Sequence, residues 1–317
     1  MRRFLLASLM VSPLLICSTF TYANNAVPTA PQEPAEQITH LENDSILPPI
    51  HPWSGASETL LLSADQPWAT PFEQQGYVSS PNYHDTMEWL DKLVDSSDVL
   101  QKVSIGKSPQ GRDIWMIVAS QDGVSTAQAL SDNGKATVLV QAGIHSGEID
   151  GKDAGMMLLR DISHRNKRDL LENVNLLFIP IFSVDAHERS SKFNRVNQRG
   201  PINMGWRTTA NNLNLNRDYA KADALEMQHL IQAINIWQPD LYIDIHVTDG
   251  IDYQYDVTFG YNVAQGYSPS IFTWLDSIYR PAVEHALTEQ GHIPGQLVFA
   301  NDNTDMTKGL SLWNPSP

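Results

Sequence analysis

The stretch Ala136-Thr137-Val138-Leu139-Val140-Gln141-Ala142-Gly143-Ile144 runs directly into His145-Ser146-Gly147-Glu148. Its first nine residues are nearly all apolar, as in a strand buried on both faces. Strands of that kind belong to parallel sheets, and the flanking sequence fits one. Upstream, Met87, Leu90, Leu93 and Val94 give helical spacing over 84–94. Residues 101–105 and 114–119 read as strands around the turn Gly106-Lys107-Ser108-Pro109-Gln110-Gly111. Downstream, Met156, Met157, Leu159 and Ile162 predict an amphipathic helix over 151–165. Residues 174–181 read as a second buried strand, 222–237 as a helix ending before Pro239, and 240–247 as a third strand. A long helix is expected over 270–290, kinked at Pro281. Strands alternating with helices argue for an α/β fold with a largely parallel sheet. Ligands of such sheets gather at the carboxyl ends of the strands, where His145 and His246 both stand.

The N-terminus reads differently. Arg2-Arg3, the apolar run from Phe4 to Cys17 and the small-residue pattern Thr21-Tyr22-Ala23 resemble a cleaved export signal over 1–23. The run is shorter than the roughly 20 residues that span a bilayer. Its removal takes away Cys17, the only cysteine, so the mature chain has no disulfide and relies on packing, which 42% apolar residues permit. Arg2 and Arg3 also leave, so 19 of the 21 Lys and Arg remain against 36 Asp and Glu, a formal −17. That balance argues against nucleic acid or an anionic membrane face as partner. Residues 24–75, rich in Pro, Ala, Gln and Glu, read as a linker or pro-segment, and 76–317 as the globular domain.

Imidazole nitrogen and carboxylate oxygen are both ligands for a borderline cation such as Zn²⁺. His145 and Glu148, three residues apart where a strand gives way to a loop, can converge on one ion. Gly143, Gly147 and Gly151 surround the pair and let backbone pass close by. A histidine ending another buried strand is costly to leave without a partner, which makes His246 the third ligand. Two histidines and a glutamate form a catalytic rather than a structural donor set. Between these segments, Asn216 and Arg217 offer amide donors and a planar guanidinium suited to a carboxylate.

His-x-x-Glu, then Asn-Arg, then a strand-end His, in that order, resembles the zinc carboxypeptidases of the carboxypeptidase A type, the M14 metallopeptidases. The resemblance runs from Tyr83 to about Phe259 and includes Ile105-Gly106-Lys107-Ser108 with Gly111-Arg112. It implies a carboxypeptidase A-like mixed, largely parallel sheet with helices on both faces, and one Zn²⁺ held by His145, Glu148 and His246. It further implies that Asn216 and Arg217 hold the C-terminal carboxylate of a peptide, or of a small amide. An upstream arginine would stabilise the oxyanion. Arg207, nine residues before Asn216, is the candidate, with Arg199 and Arg195 as alternatives.

Two positions depart from the family pattern. Asn214 stands where an aspartate often orients a zinc-bound histidine. Gly147 stands where pancreatic-type members carry a cation. Asp244, two residues before His246 and on the same face of its strand, is a further candidate for orienting a ligand. The family's general base, a glutamate on a late apolar strand, has no counterpart among Glu284, Glu289, Asp302 and Asp305, so the expectation is a domain truncated at its C-terminus or a diverged one that lacks the base. Three functions follow as expectations: an exported, periplasmic or secreted carboxypeptidase; a zinc- or peptide-binding remnant without turnover; or a zinc deacylase of N-acyl amino acids. The sequence carries no reading of oligomeric state.

Overall fold

The computed structural model describes residues 54–312 apart from 249, 251–252, 262–267 and 303, all within one unit of residues 51–317. The expected export signal over 1–23, with Cys17, and the expected linker up to residue 53 lie outside the described residues.

A 3₁₀ turn at Ala56–Leu60 leads to α1 (Pro71–Gln74), so the end of the expected linker carries regular structure. α1 opens on a capping box: the Thr70 hydroxyl accepts from Glu73 N, and the Glu73 carboxylate accepts from Thr70 N. In α2 (Tyr83–Asp95), Asn82 caps the first turn, and Met87, Leu90 and Leu93 are buried a helical turn apart. β1 (Leu100–Lys107) and β2 (Asp113–Ala119) form the expected hairpin, with a bulge between Ser104 and Gly106. Then come α3 (Ala127–Asp132), β3 (Ala136–Ala142), α4 (Asp150–His164), β4 (Val174–Ile179), α5 (Val184–Glu188), α6 (Leu225–Trp237) and β5 (Leu241–Ile245).

These strands form one sheet in the order β1-β2-β4-β3-β5. β3 runs parallel to β4 and to β5, whereas β2 runs against β1 and β4. Four strands therefore share a direction and β2 alone is reversed, giving the mixed, mainly parallel sheet expected. α4 lies on the face that carries Val140, Phe178 and Ile245, and Phe178 sits directly on Gly155. The opposite face, on which Ile114 stands, meets α6, whose His229 abuts Gly106. Leu139, Met156 and Leu177 are buried between these layers. Arg160 on α4 donates from Nη1 to both Glu73 oxygens, at 2.8 and 2.6 Å, and from Nη2 to Leu60 O. That pair ties residues 56–75 to the sheet-covering helix.

After β5 the elements are short. β6 (Val257–Phe259) pairs with β7 (Pro294–Gln296), and β8 (Val298–Ala300) with β9 (Leu310–Leu312). Between β6 and β7 the expected long helix is α7 (Pro269–Trp274), a π-helical turn over Leu275–Tyr279 and α8 (Arg280–Glu289). Pro281 has no N–H to give the preceding turn, and the chain meets that by widening just ahead of it. Among the described residues, no helix is long and apolar enough to cross a membrane.

Candidate metal centre

Parallel register brings the site together. Ala142 and Ile245 are partners on β3 and β5, so the segments that follow them leave the sheet at the same edge. Gly143 turns the chain with φ +70°, and its carbonyl accepts from Ser183 N of the loop after β4. Glu148 N then donates to His145 O at 2.9 Å, closing a tight turn that sets both side chains together. His246 directly follows β5.

The His145 Nδ1 lies 3.0 Å from Glu148 Oε1, and the His246 Nδ1 lies 2.8 Å from Glu148 Oε2. Ligand atoms of the three residues all lie within 4.8 Å of one another, near the span of two metal–ligand bonds of about 2.0–2.2 Å. His145 and Glu148 are 3% exposed, so a cation here would be held from the protein side with little competition from solvent. The outer ring nitrogens are also engaged. His145 Nε2 lies 3.1 Å from Asn214 Oδ1, and His246 Nε2 lies 2.9 Å from Asp244 Oδ2. With both Nε2 atoms held by acceptors, both Nδ1 atoms face the carboxylate, so a cation replacing the Nδ1 protons would meet all three donors. This donor set fits zinc.

Charge follows geometry. Burial pushes the Glu148 carboxyl up, but hydrogen bonds from His145, His246 and Arg195 outweigh it and hold the group well below the usual carboxylate range. Burial pushes His246 down, but hydrogen bonds to Asp244 and Glu148 outweigh it and lift the imidazole to about 9.

The loop 189–207 crosses the same turn. Arg195, 5% exposed, donates to Glu148 Oε1 at 2.7 Å, and Arg207 Nη1 lies 3.6 Å from that oxygen. A Cβ on Gly147 would stand 2.7 Å from Arg195 Cγ, and one on Gly205 2.6 Å from Ser146 O. Glycine at both positions is what lets the arginine loop lie on the metal turn. Arg199 is exposed in the same loop. Asn216 and Arg217 lie in a 3₁₀ turn, Leu215–Arg217, that starts at Asn214. The turn is thereby anchored at His145, while the exposed Arg217 donates to Asn216 O.

Two features of the centre went unread in the sequence. Gln141, fully buried on β3, donates to Asp244 Oδ1 at 3.1 Å across the strand pair. Its signal was a lone amide in an apolar run. Lys152, at the first turn of α4, has its ammonium fully buried beside Pro81 O and the imidazole of His187. After His246, no glutamate among the described residues stands on a strand. Glu284 and Glu289 are on α8, paired with Arg280 and His285, and Lys308 engages Asp302.

The sequence profile of the zinc carboxypeptidase family matches residues 86–307. No curated protein sequence matches significantly. Among solved structures, a metallo-carboxypeptidase from Burkholderia cenocepacia is similar at 18% identity and TM-score 0.50, over 68% of this chain and 53% of that one. Carboxypeptidase A from Helicoverpa armigera is similar at 19% identity and TM-score 0.50, over 68% and 57%. Bovine thrombin-activatable fibrinolysis inhibitor, in complex with a tick carboxypeptidase inhibitor, is similar at 13% identity and TM-score 0.50, over 70% and 77%. The chain thus spans little more than half the length of the first two.

Proposed function

Because the chain belongs to the zinc carboxypeptidase family, we propose that it is a metallocarboxypeptidase releasing C-terminal residues from peptides. One observation carries this: both ligand histidines turn Nδ1 toward Glu148 while acceptors hold their Nε2 atoms. When bound, zinc supplies Lewis-acid polarisation and acidifies water near neutral pH. Arg195, buried against Glu148, balances the carboxylate. In this reading Arg207, less buried and farther from it, donates to an oxygen that gains negative charge as a scissile carbonyl becomes tetrahedral. Asn216 and Arg217 take the terminal carboxylate, the guanidinium matching it with two parallel hydrogen bonds. From Arg189 to Arg217 the chain has six Lys and Arg and no Asp or Glu, against a formal −15 overall. That local field draws an anionic chain end toward the zinc. The pattern of residues 1–23 supports work outside the cytoplasm, in the periplasm or secreted.

A second reading is zinc or peptide binding without turnover. Zinc content and release from an N-blocked dipeptide, its C-terminal amide and an N-acetyl amino acid separate the readings. Stoichiometric zinc with chelator-sensitive release from the dipeptide, and none from its amide, is the expected result. Stoichiometric zinc with no release establishes the second reading. Preference for the N-acetyl amino acid points to a deacylase.

A further inference from the structure

The two ligand histidines are held by different chemistry. Asn214 Oδ1 accepts from Asn216 N at 3.0 Å as well as facing His145 Nε2. A backbone N–H only donates, so the atom between them is the amide oxygen, and His145 carries its proton on Nε2. This anchor is neutral. His246 Nε2 instead faces Asp244, whose other oxygen is fixed by the Gln141 amide. Gln141 and Asp244 are register partners on β3 and β5, so the carboxylate is braced by the sheet itself. Its side chain is 19% exposed, which leaves limited solvent to screen it.

We infer that Asp244 is the positioning residue of the metal centre, supplying through His246 the anionic hydrogen bond that Asn214 does not give His145. A carboxylate behind a ligating imidazole fixes its tautomer, aims its lone pair and raises its basicity. In this chain that role has moved from the first ligand histidine to the second, with Gln141 as its brace. This rests on the reading that His145, Glu148 and His246 hold zinc.

The test is a carboxylate exchange read out by zinc affinity, through competition with a chromogenic chelator, independent of turnover. Asp244→Asn keeps the shape and removes the charge. It is expected to weaken zinc binding about 10–100-fold, the usual effect of losing such a partner. Adding Asn214→Asp to that variant returns a carboxylate to the other histidine and is expected to recover most of the loss. A purely structural role for Asp244 gives no recovery, and circular dichroism on each variant registers any misfolding directly. Zinc affinity of Asp244→Asn within twofold of wild type overturns the inference alone, as does a loss that Asn214→Asp leaves unchanged. Wild-type protein that takes up no zinc overturns both this inference and the zinc reading beneath it.

Discussion

The chain before and after His246 is built to different standards. Before it, five strands share one sheet, and Leu90, Leu93, Leu139, Met156 and Leu177 are buried almost completely. After it, the four strands are three residues long and pair only two by two. Leu275 alone is a buried large apolar side chain among the described residues there, while Ile271, Trp274, Ile278, Phe299 and Leu312 are exposed. Burial of apolar surface is the main source of stability, so the first region holds itself together and the second contributes little. All three metal ligands, Asn214, Asp244 and the arginine loop stand on the firm side or at its border. Zinc binding therefore rests on the well-packed half.

The firm region is held by charge as well as apolar packing, and breaking that charge tests the comparison hardest. Arg160 is fully buried and donates to Glu73, which is equally buried. Replacing one partner of such a pair strands the other charge, so Arg160→Met is expected to cost about 3–5 kcal/mol in urea unfolding. Adding Glu73→Leu removes the stranded carboxylate but also the acceptor of Thr70 N and Leu62 N, so it is expected to recover only part of the loss. A small cost for the single change would mean that residues 56–75 hang loosely on the domain. Leu177→Ala tests the apolar half. Leu177 faces Val118 and Leu139 on its two neighbouring strands and is fully buried, so truncation is expected to cost about 2–5 kcal/mol.

How much of this was legible beforehand divides along the same line. Apolar runs at 136–142 and 174–179 announced buried strands because burial on both faces leaves polar residues little room. The candidate ligands were legible through the order His-x-x-Glu, Asn-Arg, strand-end His that resembles a family, because His-x-x-Glu alone arises often by chance. The brace on Asp244 was not, since it depends on register between β3 and β5, which no local pattern encodes. Nor was the nearness of Arg195 to Glu148, which comes from a loop crossing permitted by two glycines. The end of the expected linker misled through its prolines: Pro71 opens a helix, where a missing N–H costs nothing, and Glu73 is spent on Arg160.

Acid sharpens the comparison next. His187 is buried beside the Lys152 ammonium, and burial first, then that charge, holds its imidazole down to about 4. In the unfolded chain it titrates near 6.5. Between these values the unfolded state binds a proton that the native state refuses. This group's contribution is therefore intact above about pH 6.5 and is lost as pH falls toward 4, an effect of about 3 kcal/mol. Urea unfolding of wild type and His187→Gln at pH 7 and pH 4.5 measures it. The variant is expected to lose less stability on acidification, and equal losses would place the acid sensitivity elsewhere.

The smallest expected effect is the one that most directly challenges the contrast. Ile278 lies in the π-helical turn and is 58% exposed, although it is as large and apolar as the leucines of the core. A side chain that stays wet on folding gains little from it, so Ile278→Ala is expected to change stability by less than about 0.5 kcal/mol. Truncation of Ile271, 49% exposed in α7, is expected to behave alike. If either change instead cost as much as Leu177→Ala, the helix over 269–289 would be packing its apolar side in solution, and the region after His246 would belong to the firm half. Unaltered unfolding together with unaltered zinc affinity is the outcome in keeping with a metal centre that draws its support from the sheet and the loops before His246.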